Sequence, residues 1–168
     1  DTSTKARHSV SVRWRSKMTI FTREETQIIN QAKKILLDKS RKSQAPFESP
    51  QVLKDFLRLQ CAGLEHEIFG VVMLDTKHRL IGVKKLFTGT IDGASIHMRE
   101  VVKALLSKNA AACVAYHNHP SGDVSPSQAD KMVTEKLKEA LALVDIRLLD
   151  HFIVGLEGEY SFVENGWL

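Results

Sequence analysis

Two histidines one residue apart are followed at fixed offsets by a serine and an aspartate in the run His117-Asn118-His119-Pro120-Ser121-Gly122-Asp123-Val124-Ser125-Pro126-Ser127-Gln128-Ala129-Asp130. Two imidazole nitrogens from His117 and His119, one carboxylate oxygen from Asp130 and an open fourth position make a catalytic rather than a structural zinc site. An ion held in this way lowers the pKa of a bound water from about 16 to about 7, which supplies a nucleophile near neutral pH. A carbonyl attacked by that water develops negative charge on oxygen. The Ser127 hydroxyl is one candidate donor to it, and such a donor is typically worth about 3 kcal/mol of barrier. From spacing alone, Ser127 is equally well explained as a helix cap. An isolated His-x-His is most often a pair of surface or core histidines, and the offsets of Ser127 and Asp130 are what set this pair apart.

The elements that must gather these side chains are legible around them. Ala110 to Tyr116 is short, apolar and free of Gly and Pro, as a buried strand is. Strand side chains repeat every two residues, so His117 and His119 leave the same face if the strand runs to its end. Pro120-Ser121-Gly122-Asp123 breaks the strand with turn formers. Ser125-Pro126-Ser127 then starts a helix, with either serine as cap and Pro126 tolerated in the first turn. Asp130 therefore falls in that first turn, where a strand end facing a helix start returns it to the histidines. Asp123 is near enough to compete for a metal, but its neighbours Gly122 and Val124 suit an Asx-type turn, and it is left outside the ligand set. Cys113 has the parity of His117 and reads as a packed thiol or a support to the site.

His117-x-His119, seven residues, Ser127, two residues, Asp130 resembles the JAMM (MPN+) metalloprotease signature. Gly89-Thr90, His97-Met98-Arg99-Glu100-Val101, Asn109-Ala110-Ala111, Leu148-Leu149-Asp150-His151 and Ser161-Phe162-Val163-Glu164-Asn165-Gly166 extend the likeness, and together they resemble the bacterial RadC family from about residue 50 onward. The resemblance implies an α/β (α+β) fold of the cytidine-deaminase-like MPN/JAB type, a central mixed sheet flanked by helices. It implies one Zn2+ per chain on His117, His119 and Asp130, cleavage of peptide or isopeptide bonds, and a catalytic Ser127. It also implies a glutamate on an early strand that acts as general base and then general acid. Glu67, which begins the run Glu67 to Leu74, is assigned that role, with Glu65 and Glu100 as competing acids. His151, in the pair Asp150-His151, either supports a ligand or is a core histidine bonded to a backbone carbonyl. A zinc deaminase shares the architecture but needs a His-x-Glu and a Pro-Cys-x-x-Cys pair. This chain has neither.

Charge and composition divide the 168 residues unevenly. Residues 1–45 hold eleven Lys or Arg against four Asp or Glu, and the remainder thirteen against sixteen. Residues 1–21 form a basic, disordered head in which Lys5, Arg7, Arg13, Arg15 and Lys17 surround Trp14; it reads first as a solvated tail or vector-derived sequence before Met18. Its alternative is weak contact with nucleic acid. Residues 22–45 give a helix opened by a Thr22/Glu25 capping box, with Ile28, Ile29, Ala32, Ile35 and Leu36 at helical spacing, then a linker with the breakers Pro46 and Pro50. Residues 46–168 form the RadC-like JAB/MPN domain. Its second helix is marked by Val52, Leu53, Phe56 and Leu57, and its hairpin turns at Thr76-Lys77-His78-Arg79. The first 60 residues lack the Gly-containing helix-hairpin-helix pattern suited to DNA, and no basic groove is expected from Glu67 to Leu168.

Two cysteines far apart argue against a disulfide framework and fit a reducing, cytoplasmic setting. No apolar run approaches a membrane span. Three functions are thus weighed: a zinc hydrolase acting on a protein or peptide substrate, a DNA-associated accessory protein with a structural or vestigial metal site, and a non-catalytic protein-interaction domain. The complete set of four residues favours the first.

Overall fold

The computed structural model describes residues 21–43, 50–89, 96–156 and 158–168. The basic head with Trp14 and Met18, the breaker Pro46, and Thr90 lie outside the described residues. Helix α1 (Arg23–Lys42) opens on the expected capping box, with Thr22 Oγ1 accepting from Glu25 N at 3.1 Å and the Glu25 carboxylate accepting from Thr22 N at 2.7 Å. It continues past Ser40, ending on Lys39, Arg41 and Lys42, whose charges suit the free carbonyls of a helix end. Its apolar stripe is only partly used. Ile28, Ile35 and Leu36 stay exposed, while Ile29, Ala32 and Leu37 are half-buried where the helix meets its neighbours. Helix α2 (Pro50–Cys61) buries Leu53, Phe56, Leu57 and Cys61 and leaves Val52 exposed.

Strands β1 (Ile68–Leu74) and β2 (Leu80–Thr88) form the expected hairpin. Its turn is held by Asp75 Oδ1, which accepts from Lys77 N at 2.8 Å and Arg79 N at 2.9 Å. Helix α3 (Met98–Leu106), strand β3 (Ala112–Asn118), helix α4 (Gln128–Ala142), strand β4 (Arg147–Val154) and the short strand β5 (Glu159–Ser161) complete the order. The sheet runs β2-β1-β3-β4-β5. β1 lies antiparallel to β3 and β4 parallel to it, with α4 as the crossover that a parallel pair requires. The result is the expected mixed α+β architecture, a sheet flanked by helices.

Alternation along the strands splits the core into two layers. Phe69, Val71, Met73, Cys113 and Ala115 pack with residues of α3 and α4, including Leu105, Val133 and Leu137. Val72, Leu74, Val114, Tyr116 and Phe152 pack with Leu53, Phe56 and Leu57 of α2. Each fully buried large apolar side chain contributes about 1.5–3 kcal/mol to this arrangement. His117 has the parity of Cys113 and Ala115, so it enters the layer beneath α4, the helix that carries Asp130. Cys113 and Cys61 are free thiols in opposite layers, each pushed up to about 12 by burial. Cys113 is thus a packed side chain. Among the described residues, no helix is long and apolar enough to cross a membrane.

Candidate metal centre

His117 lies fully buried one residue before the end of β3, His119 follows the strand half-buried, and Asp130 sits in the first turn of α4 with 2% of its surface exposed. Their ligand atoms lie within 4.8 Å of one another. His117 Nε2 is 3.1 Å from His119 Nε2 and 3.2 Å from Asp130 Oδ1, and His119 Nε2 is 3.7 Å from Asp130 Oδ2. The strand-turn-helix expected from the sequence is what brings them together. His119 N donates to Val154 O at 2.9 Å, continuing the β3/β4 pairing one residue past the strand. Gly155, next along, has no room for a side chain: a Cβ there would meet Gly122 O at 2.5 Å. The loop after His119 is thus pressed onto the end of β4.

These contacts also decide which atoms are left bare. His119 Nδ1 lies 2.6 Å from Asp123 O. A carbonyl can only accept, so the ring hydrogen is on Nδ1 and Nε2 keeps its lone pair. Asp130 Oδ2 accepts from Ser127 Oγ at 2.6 Å and Ser127 N at 2.8 Å, while Oδ1 faces His117 Nε2. Burial raises the Asp130 carboxyl, but the attraction of the His117 ring in its protonated form and the two bonds from Ser127 outweigh it and hold the group well below the usual carboxylate range. Burial pushes His117 below the usual imidazole range against the pull of Asp130 and, more weakly, of Glu67. A buried carboxylate beside two histidines that turn bare imidazole nitrogen toward it is a donor set that fits a divalent cation.

The other residues singled out by sequence fall into place around this group. Ser127 is the cap of α4, chosen over Ser125, and forms a full capping box with Asp130. Its hydroxyl is thereby committed to Asp130. Asp123 makes the Asx turn, with Oδ1 accepting from Ser125 N at 2.9 Å. Glu67 lies half-buried one residue before β1 and exerts its charge on His117. Phe69 pairs with His117, so Glu67, two residues before Phe69, lies at the end of the sheet where His119 follows β3. Glu65, by contrast, is exposed. Glu100 is drawn away into a recess shared with Lys84, Lys85 and Lys103. Lysines of β2 and α3, distant in sequence, meet there on one surface.

His151 is bonded to a ligand. Its Nε2 is 2.9 Å from His117 Nδ1, its ring stacks on Phe162 at 5.0 Å, and its Nδ1 is 2.7 Å from Thr134 Oγ1. Burial holds its imidazole well below the usual range. The sequence reading missed two residues, Asn118 and Thr134. Thr134 stands four residues after Asp130, the spacing that shares a helix face, and that signal was available. Asn118 Oδ1 accepts from Ile68 N at 2.8 Å and its Nδ2 donates to His66 O at 3.1 Å, across the sheet from its own strand. No local pattern announces this.

Beside His119 opens a recess of about 240 Å³, apolar along Phe21, Leu64, Val154 and Leu156, with Arg58 also lining it. The chain has many relatives. A family model described as "RadC-like JAB domain" matches residues 47–167. A UPF0758 protein of Methylibium petroleiphilum is 54% identical over 130 residues, which are 77% of this chain and 59% of that one. A UPF0758 protein of Stutzerimonas stutzeri is 48% identical over 141 residues, 84% of this chain and 62% of that one. A UPF0758 protein of Vibrio cholerae is 49% identical over 144 residues, 86% of this chain and 90% of that one. The chain thus spans about three fifths of the first two relatives. With the model match running through both histidines, Asp130 and the whole sheet, the chain belongs to the RadC-like JAB domain family.

Proposed function

We propose that this chain is a zinc-dependent hydrolase of the JAMM type, cleaving peptide or isopeptide bonds. The observation that carries the reading is the meeting of His117 Nε2, His119 Nε2 and Asp130 Oδ1 around one point, with Glu67 acting on the same group. The family is one that includes hydrolases, and the His-His-Asp group supports binding of a metal ion; zinc is our assignment from two imidazoles and a carboxylate. A bound zinc ion supplies Lewis acidity and lowers the pKa of a coordinated water.

The remaining work falls to the chain itself. Glu67, as a carboxylate, takes a proton from the attacking water as the oxygen–carbon bond forms. It returns that proton to the nitrogen as the carbon–nitrogen bond breaks. Ser127 first orients Asp130. To donate to the developing oxyanion its hydroxyl turns from Asp130 Oδ2, which keeps the bond from Ser127 N. The apolar recess beside His119 offers a seat for a substrate side chain next to the bond to be cut. Two buried free thiols fit a reducing compartment, and on that ground we place the chain in the cytoplasm.

Zinc-loaded protein is to be screened against a panel of peptides and isopeptides, with Glu67→Gln as control. Cleavage by the parent and not by the variant supports the reading. Equal cleavage by both removes Glu67 from it, and no cleavage across the panel by protein holding one zinc overturns the proposed activity.

A further inference from the structure

Behind the metal-facing nitrogen of His117 stands a row of polar groups whose hydrogens can be assigned one after another. The row begins at Asp130 O, which can only accept. Thr134 Oγ1 lies 2.7 Å from it, so the single hydrogen of that hydroxyl is spent there. The lone pairs of Thr134 Oγ1 then face His151 Nδ1 at 2.7 Å, which makes Nδ1 the protonated nitrogen of that ring. His151 Nε2 is left as an acceptor, 2.9 Å from His117 Nδ1. His117 must therefore donate from Nδ1, and its Nε2 is left bare. Every member of the row is buried: Asp130, Thr134, His117 and His151 expose 3% or less of their surface. Water therefore does not compete for these bonds.

We propose that Thr134 and His151 are positioning residues that fix the direction of this row, and so keep His117 Nε2 unprotonated and turned toward the ion. The proposal rests on the metal-centre reading for its purpose but not for its geometry. Without the threonine hydroxyl, nothing obliges His151 to carry its hydrogen on Nδ1. The row can then reverse, with His151 Nε2 donating to His117 Nδ1 and the His117 hydrogen moving to Nε2. There it would bond Asp130 Oδ1 at the present 3.2 Å and occupy the place of the metal. The ordering of Thr134 comes from the helix itself, because its acceptor is the carbonyl four residues earlier, the carbonyl of a metal ligand. The turn of α4 that presents Asp130 to the ion therefore also sets the ring of His117. Supporting partners of ligand histidines are typically worth about 10–100-fold in metal affinity.

The test uses the full chain in two states. In metal-free protein labelled with 15N-histidine, the imidazole shifts of His117 should report hydrogen on Nδ1 and none on Nε2. Thr134→Val should move His117 toward the opposite tautomer, and Thr134→Ser should restore the parental one. In competition with a chelator, zinc affinity should fall about 10–100-fold in Thr134→Val and recover in Thr134→Ser. Thermal melting of each metal-free variant checks that it is folded. Hydrogen on His117 Nε2 in the metal-free parent overturns the proposal without recourse to any variant. Parental zinc affinity and tautomer in folded Thr134→Val also overturn it. Failure to find a cleavable substrate bears on the hydrolase reading and leaves both measurements standing.

Discussion

Asn118 holds the main chain on both sides of Glu67, accepting from Ile68 N at 2.8 Å and donating to His66 O at 3.1 Å. Gly89 N adds a bond to Glu67 O at 2.9 Å, so the segment is fixed by β3 on one side and by the end of β2 on the other. Asn118 lies between the two ligand histidines and couples the place of the proposed base to the strand that carries them. Replacing it with Ala leaves Ile68 N without this acceptor, at a cost of about 1–3 kcal/mol. Asn118→Ala is expected to retain zinc and to lose on the order of 10²-fold in kcat, as small misplacements of a catalytic group do. Chelator competition and steady-state kinetics separate the two effects.

Glu67→Gln keeps the shape of the side chain and removes its capacity to take a proton. The expected outcome is one zinc per chain by elemental analysis and hydrolysis slower by about 10²–10⁴-fold. Glu65→Gln and Glu100→Gln should hydrolyse at the parental rate, since Glu65 is exposed and Glu100 faces lysines.

Removal of any one ligand should abolish zinc binding, yet the variants should differ in stability. His119 keeps some contact with solvent, with 16% of its side chain exposed, and His119→Ala should melt close to the metal-free parent. Asp130→Ala also loses the bonds that close the start of α4. It should be less stable by about 1 kcal/mol, read from urea unfolding of the metal-free proteins.

Ser127→Ala removes the cap hydroxyl and one of the two bonds that orient Asp130 Oδ2. Stability should fall by about 0.5–2 kcal/mol, with weaker zinc binding alongside. Ser127→Thr, which keeps a capping oxygen, should recover most of the stability. Urea unfolding with and without zinc checks both.

His117 and His151 lie below the usual imidazole range because burial opposes their charged forms. The unfolded chain takes up protons on these rings near pH 6.5, while the folded rings remain neutral to lower pH. The unfolded state therefore binds more protons in that interval, and stability rises with pH across it. Metal-free protein should melt at a constant temperature above about pH 7 and progressively lower as pH falls through about 6.5. The Asp130 carboxyl, held below its unfolded value, loses its share in the same direction below about pH 4. A melting series across this range by circular dichroism checks the slope.

The candidate site was legible because it is local: His117, His119 and Asp130, with Ser127 as the cap, occupy one strand-turn-helix, and period two, turn formers and a cap decide their directions. Strands β1 and β3 were legible as continuous apolar runs, buried on both faces. What the sequence left open depends on contacts between distant segments. His151 had two readings until β4 was placed beside β3, and Asn118 gains its partners only from β1. The three lysines around Glu100 likewise meet only when α3 lies against β2. On α1 the apolar spacing was read correctly as helical, but spacing alone does not say which of those residues meet a neighbour, and Ile28, Ile35 and Leu36 stay exposed.

The two halves of the centre come from different parts of the chain. His117, His119 and Asp130 lie on one contiguous stretch spanning β3 and the start of α4. Glu67, in contrast, reaches it only once β1 has docked along β3. Were β1 not docked along β3, the three donors would still share one stretch of sequence but the proposed proton carrier would be lost, so the proposed activity depends on the whole sheet.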